Sequence, residues 1–254
     1  MNELKSIVII PARFDSSRFP GKPLAKITQK PLIRHVYERA LQARGVERVI
    51  VATDDSRIVD AVSEFGGVAC MTSKTHRSGT DRVAEAAKNF DAQIIVNLQG
   101  DEPLVDPGCI EAVLAPFSVE PELMIVTAKS PLASEDEFIN PNVVKVVTDR
   151  QDYALYFSRL PLPYFQSRAA RPNGNLTGCF KHIGIYAYRR NFLDLLPTLI
   201  ESPLEQGEEL EQLRFLENGF KIKVVLYDYQ SVAVDTPEDL ARVEAMLGGR
   251  HGGG

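Results

Sequence analysis

Three short runs of aliphatic and β-branched residues, each followed by a stretch of helical periodicity, constrain this chain more than any other feature. The runs are SIVIIP at Ser6–Pro11, RVIVA at Arg48–Ala52 and QIIVNL at Gln93–Leu98. A strand-length run without polar alternation suits a strand covered on both faces. Between the runs, Pro31–Ala43 places Leu32, Ile33, Val36, Tyr37, Ala40 and Leu41 on one helical stripe, and Gly45 stands where a helix stop belongs. Asp55 or Ser56 can cap a second helix, whose Ile58, Val59 and Val62 recur at helical spacing. Val68–Met71 reads as a short strand and Thr80–Phe90 as a third helix. This βαβα rhythm predicts right-handed crossovers and an α/β fold: a mixed, mostly parallel sheet flanked by helices.

The second half reads differently. Leu123–Ala128, Val143–Asp149, Ala154–Ser158 and Ile183–Arg189 look like strands with little helix between them, and Pro161–Gly178 is a Pro-, Gly- and Asn-rich loop. Helix returns at Glu205–Asn218, strand at Lys221–Leu226, and a last helix at Pro237–Leu247, with Asp235 or Thr236 as cap and Pro237 at its first position. The expected division is an α/β core over 1–130, a smaller β-rich subdomain suited to dimerisation over 131–200, and a return to the core over 201–247. The Gly-rich end, 248–254, is read as a disordered tail and set aside.

Composition narrows the function. Of 254 residues, 44% are hydrophobic and 25% charged, which suits a soluble chain with a full core. No apolar run approaches the ~18 residues of a membrane span. A net charge of −5 implies no basic face for nucleic acid, so an anionic ligand must be held by a local cluster of cations. Three widely spaced cysteines form neither a CxxC pair nor a zinc ladder, which fits a reduced, cytoplasmic protein.

In open α/β sheets ligands collect at the carboxyl ends of the strands. After the first strand come Arg13, Arg18 and Lys22 in a loop stiffened by Pro20 and Pro23, a set of cations able to wrap a polyphosphate. The frame is neither a Walker A loop nor GxGxxG. After the second strand, Asp54 and Asp55 could meet a ribose, a metal or only the amides of the next helix. Ser78-Gly79-Thr80-Asp81-Arg82 opens the third helix, whose N-terminus could face an anion. After the third strand, Gln99-Gly100-Asp101 places an acid where it could hold Mg²⁺ against phosphate, an ion that takes one or two protein carboxylates. Asp235 is a possible second carboxylate, although Asp-Thr-Pro-Glu read locally favours a helix cap. Arg159, His182, Tyr186, Glu211 and Gln212 are polar groups at strand or helix ends whose separate readings are ion pairs and packing.

Taken together, PARFDSSRFPGKPL, SGTDR, NLQGDEPL, NPNVVKVV, ALYFSR, HIGIYAY, LEQLR and VDTPEDL resemble, in order and spacing, the 3-deoxy-manno-octulosonate (Kdo) cytidylyltransferase family, also called CMP-Kdo synthetases. The likeness runs from about Ile7 to Leu247. It implies a nucleotide-diphospho-sugar transferase fold with a dimerising β subdomain that also binds the sugar acid. It further implies transfer of CMP from CTP to the anomeric hydroxyl of Kdo for lipopolysaccharide biosynthesis, with release of pyrophosphate. By motif, Arg13, Arg18 and Lys22 resemble the triphosphate clamp, with Arg13 and Lys22 catalytic. Ser78, Gly79, Thr80 and Arg82 resemble the loop that meets the nucleotide, and Gln99 the position beside base or sugar. Asp101 and Asp235 resemble catalytic Mg²⁺ ligands, and Arg159, His182, Tyr186, Glu211 and Gln212 the sugar-acid site. A homodimer, with no nucleic-acid or membrane partner, is the implied assembly.

Overall fold

The computed structural model describes residues 4–15, 19–76, 78–167, 176–230 and 232–248. The chain forms two compact units, one of residues 1–114 with 231–254 and the other of residues 115–230.

The first unit contains β1 (Ser6–Ala12), β2 (Lys26–Ile27), β3 (Lys30–Pro31), α1 (Leu32–Ala40), β4 (Arg48–Thr53), α2 (Ser56–Glu64), β5 (Ala69–Met71), α3 (Gly79–Ala87), β6 (Ile94–Asn97) and α4 (Pro107–Leu114). The order β6-β1-β4-β5 is parallel throughout, in register Ile9 to Ile50 on one side and Ile9 to Asn97 on the other. Val8, Ile9 and Ile10 are fully buried, as expected for strands without polar alternation. Asp55 caps α2 through the Arg57 amide, and its carboxyl is held down at about 2, chiefly by the Arg57 guanidinium. Helix α4 and the small β2–β3 hairpin are elements the sequence reading did not contain. Pro107 starts α4 at a helix position where a missing N–H costs nothing.

The second unit holds β7 (Ile125–Pro131), α5 (Glu135–Ile139), β8 (Lys145–Thr148), β9 (Ala154–Ser158), β10 (Phe180–Arg189), α6 (Arg190–Leu195), α7 (Pro203–Glu208), α8 (Glu211–Glu217) and β11 (Ile222–Leu226). Its strand order is β11-β7-β10-β8-β9, with only the β11–β7 pair parallel. The units divide at 114/115 and 230/231, whereas the sequence places the changes at 130/131 and 200/201. The reason is the β7–β11 pairing, which draws 115–130 and 201–230 into the second unit. The single helix expected over Glu205–Asn218 is two helices, because Glu209 adopts a left-handed conformation and ends α7. The last helix, α9 (Pro237–Gly248), belongs to the first unit. Of the tail 248–254 and the loop 161–178, residues 249–254 and 168–175 lie outside the described residues.

Candidate active site

In the first unit the loops after β1 and β6 bring their charged residues together. Gly100 makes this possible: a Cβ there would stand 2.9 Å from the Pro11 carbonyl oxygen, so only glycine lets the two strand ends approach. The loop after β1 is closed by the Gly21 amide donating to the Phe14 carbonyl at 2.8 Å. Gly21 takes φ 73° there, and a short 3₁₀ turn, Lys22–Leu24, follows. That turn aims the Lys22 ammonium at Asp101 Oδ2, 2.9 Å away, and at Asp235 Oδ1, 3.2 Å away.

Asp235 reaches this position through the backbone. The Val234 amide donates to the Asp101 carbonyl at 2.9 Å, which sets the following side chain beside Asp101. The capping of α9 falls to its neighbours: the Asp239 amide donates to Thr236 Oγ1, and the Asp239 carboxylate accepts from the Thr236 amide. The local reading that favoured Asp235 as the cap is therefore corrected to Thr236, and the Asp235 carboxylate is directed to Lys22.

A cavity of about 420 Å³ opens here, lined among others by Arg13, Lys22, Gly79, Gln99, Asp101 and Asp235. Arg13 is exposed and has no ion pair among the described residues, so its guanidinium is available to an incoming anion. Arg18 lies outside the described residues. Among the described residues no group of three His, Cys, Asp or Glu side chains could hold a metal. Two carboxylates converging on a single cation nonetheless fit Mg²⁺, a hard ion that takes its remaining ligands from phosphate and water.

The Ser78–Arg82 segment plays a more structural part than its individual side chains suggest. Ser78 and Asp81 form a reciprocal capping box at the start of α3. Thr80 is buried and accepts from Asn97 Nδ2 at 3.3 Å. Arg82 is 1% exposed, and its terminal nitrogens donate to Asp54 Oδ2 at 2.8 Å and to Thr72 Oγ1. Gly79 and Arg82 reach the cavity wall, and the positive end of α3 faces it with Gly79. Asp54, left open between ribose, metal and amide in the sequence, is thus the counter-ion of a buried arginine.

The second unit brings the remaining candidates onto β9, β10 and α8. The ring of His182 packs edge-on against Phe157 at 5.1 Å and beside Tyr186 at 5.4 Å. Burial pulls the imidazole down to about 3, so it is neutral at physiological pH. Thr127 Oγ1 lies 2.9 Å from His182 Nε2 and 2.7 Å from the Ile185 carbonyl. A carbonyl can only accept, so the hydroxyl donates there and Nε2 carries the imidazole proton. Nδ1 is left as an acceptor. Tyr186 is buried, which pushes its phenol well above the usual range. Its hydroxyl lies near Thr127 without a hydrogen bond in good geometry to any described residue. Glu211 and Gln212 occupy the first turn of α8; Glu211 accepts from Arg214 at 3.0 Å and Gln212 is buried.

Arg159, just past the end of β9, is held by main-chain carbonyls and not by the ion pair of its separate reading. It donates to three main-chain carbonyls: Nε to Glu208 at 2.7 Å, Nη1 to Pro141 at 3.2 Å and Nη2 to Glu209 at 3.3 Å. Sequence reasoning missed three residues that organise these groups: Thr127, Lys145 and Glu208. Lys145 had a signal, a charge inside the apolar run VVKVV, where an unpaired lysine is seldom buried.

The sequence matches the cytidylyltransferase family over residues 7–222. It is 56% identical over 244 residues to the 3-deoxy-manno-octulosonate cytidylyltransferase of Syntrophotalea carbinolica, covering 95% of this chain and 98% of that protein. It is 52% identical over 249 residues to the protein of the same name from Geobacter metallireducens, covering 96% and 98%. The fold is similar to the solved structure of CMP:2-keto-3-deoxy-manno-octonic acid synthetase complexed with CTP, with a TM-score of 0.91 at 44% identity, covering 97% of this chain and 99% of that one.

Proposed function

This chain belongs to the 3-deoxy-manno-octulosonate cytidylyltransferases, and from that premise we propose the division of labour among its residues. The enzyme transfers CMP from CTP to the anomeric hydroxyl of Kdo, forming CMP-Kdo for lipopolysaccharide biosynthesis and releasing pyrophosphate. The observation that carries the residue assignment is the Lys22 ammonium held between Asp101 and Asp235 at the strand ends.

In this reading Arg13 and Lys22 receive the triphosphate, with Arg18 in the same loop. The hydroxyl of Kdo attacks the α-phosphorus in line with the departing pyrophosphate, so the protein acts mainly by positioning and by neutralising oxygen charge. Lys22 serves the leaving group, whose charge grows as the bond breaks. Asp101 and Asp235 would hold Mg²⁺, which when bound neutralises phosphate charge and lowers the pKa of the sugar hydroxyl. The positive end of α3, with Gly79, meets the nucleotide, while Ser78, Thr80 and Arg82 keep that end in place. Gln99 stands beside base or sugar.

Arg159 takes the Kdo carboxylate, and His182 accepts from a sugar hydroxyl through Nδ1. A histidine that protonates only near 3 is no general base at neutral pH, so its part is recognition. Tyr186, Glu211 and Gln212 complete the sugar side. A homodimer is part of the same proposal.

The test is pyrophosphate release from CTP with Kdo, 8-amino-Kdo or neuraminic acid as acceptor, with and without Mg²⁺. Release with Kdo that requires Mg²⁺ supports the reading. Preference for the amino sugar would reassign the substrate, and turnover in chelator would remove the metal from Asp101 and Asp235.

A further inference from the structure

Arg159 can bind a substrate carboxylate only if its guanidinium is held with the right edge outward. Its Nε and one N–H on each terminal nitrogen are taken by main-chain carbonyls. Among the described partners this leaves one N–H on Nη1 and one on Nη2 for a carboxylate, and no side-on contact through Nε. Which edge stays open is therefore decided by whatever holds those carbonyls.

Glu208 is the residue on which this hold converges. One carboxylate oxygen accepts from Ser158 Oγ at 2.6 Å and the other from the Arg159 amide at 2.9 Å, while its own carbonyl takes Arg159 Nε. Glu209 follows at φ 51°, ψ 47°, a left-handed conformation that side-chain-bearing residues hold only where the surroundings impose it. That turn presents the Glu209 carbonyl to Nη2, and α8 begins two residues later with Glu211 and Gln212. Beneath it, the fully buried Lys145 donates to the carbonyls of Arg159, Asn140 and Val143 at 2.6, 2.8 and 2.5 Å, satisfying all three of its N–H groups.

We propose that Glu208 is a positioning residue for the sugar-acid substrate, a role that rests on the cytidylyltransferase reading above. It sets the outward edge of Arg159 and ties the start of α8 to the end of β9, with Lys145 bracing the Arg159 carbonyl from below. Both of its carboxylate oxygens are occupied by protein donors, so it acts through Arg159 and not on substrate.

The test measures KM for Kdo and for CTP separately, with melting temperatures, in the wild type, Glu208→Ala, Glu208→Gln and Ser158→Ala. Glu208→Ala is expected to raise the KM for Kdo by about ten-fold or more, the scale of a misplaced charged contact, with the KM for CTP within about two-fold. Glu208→Gln should stay within about three-fold of wild type for both substrates, because its oxygen serves the Arg159 amide and its NH₂ can donate to Ser158 Oγ. A KM for Kdo unchanged in Glu208→Ala, or both KM values raised alike, overturns the proposal. If Glu208→Ala does not fold, Ser158→Ala decides: a rise confined to the Kdo KM supports the role and no change overturns it. A wild type inactive on CTP and Kdo would overturn the cytidylyltransferase reading and this role with it, whereas an active wild type with a neutral Glu208→Ala overturns this role alone.

Discussion

The two residues that precede α9 are a member of the proposed metal pair and a helix cap, so single substitutions can tell chemistry from folding. Asp235→Asn is expected to keep its melting temperature within a few degrees while turnover falls at least about a hundred-fold, the scale of one lost charge-stabilising contact. Thr236→Ala should do the opposite, losing about 1 kcal/mol of stability with the removed cap and keeping kcat. Lys22→Ala should lower kcat by about 10²–10³-fold at saturating CTP, since its ammonium is the group nearest both carboxylates. Steady-state kinetics beside thermal melts reads all three. His182 makes a different prediction. Folded, it resists protonation until about 3, whereas the unfolded chain takes up that proton near 6.5. Below pH 6.5 the unfolded state thus binds more protons, and stability present in full above that pH is lost on acidification. Between pH 7 and 5 the wild type should lose about 1–2 kcal/mol more than His182→Gln in denaturant titrations.

At the scale of elements, two glycines have opposite reasons to exist. The crossing of the loop after β6 with the end of β1 leaves no room for a Cβ at Gly100, because its neighbour is backbone and cannot swing aside. Gly100→Ala should therefore cost about 1–3 kcal/mol by overpacking and displace Asp101, lowering turnover as well. Gly207, inside α7, faces open space on the side where a Cβ would stand. Gly207→Ala should add roughly 0.5–1 kcal/mol of helix stability with kcat unchanged. Equal losses for both would mean that the close approach at Pro11 has no special weight. The capping box of α3 belongs to the same scale: Ser78 and Asp81 satisfy each other's amides and so hold the positive end of that helix at the cavity.

At the scale of the whole molecule, each unit carries its own part of the proposed chemistry, the phosphate loops in the first and the sugar-acid residues in the second. CTP alone should accordingly slow amide hydrogen exchange around residues 78–82 and 99–101. At one hundred times its Kd it should stabilise the protein by about 2.7 kcal/mol through mass action. Lys22→Ala should need a higher CTP concentration to reach both effects, and protection confined to 208–212 would reassign the nucleotide to the second unit. Magnesium without CTP should protect little, because two carboxylates leave most of the ion's ligands to phosphate and water.

The local pattern of residues was enough to place β1, β4 and β6, to give them parallel order, and to put Lys22 and Asp101, both proposed above for the phosphate site, in the loops past their ends. These are short-range facts: an aliphatic run without polar alternation is strand-like wherever it occurs, and the loops after such strands are where ligands collect. The motif order added the family and its substrates. What the sequence alone left open was every choice between two satisfactory local roles. Asp235 and Thr236 are both able caps, and only the meeting of Asp235 with Lys22, 213 residues away, assigns one to the ion pair and the other to the helix. Arg159 looks free until Glu208, Glu209 and Pro141 supply their carbonyls, and the proton on His182 is settled by Thr127, 55 residues distant. The unit boundaries likewise follow from the β7–β11 pairing. A hydrogen-bonding group takes whichever partner the fold delivers, and partners so far apart along the chain are chosen by tertiary packing.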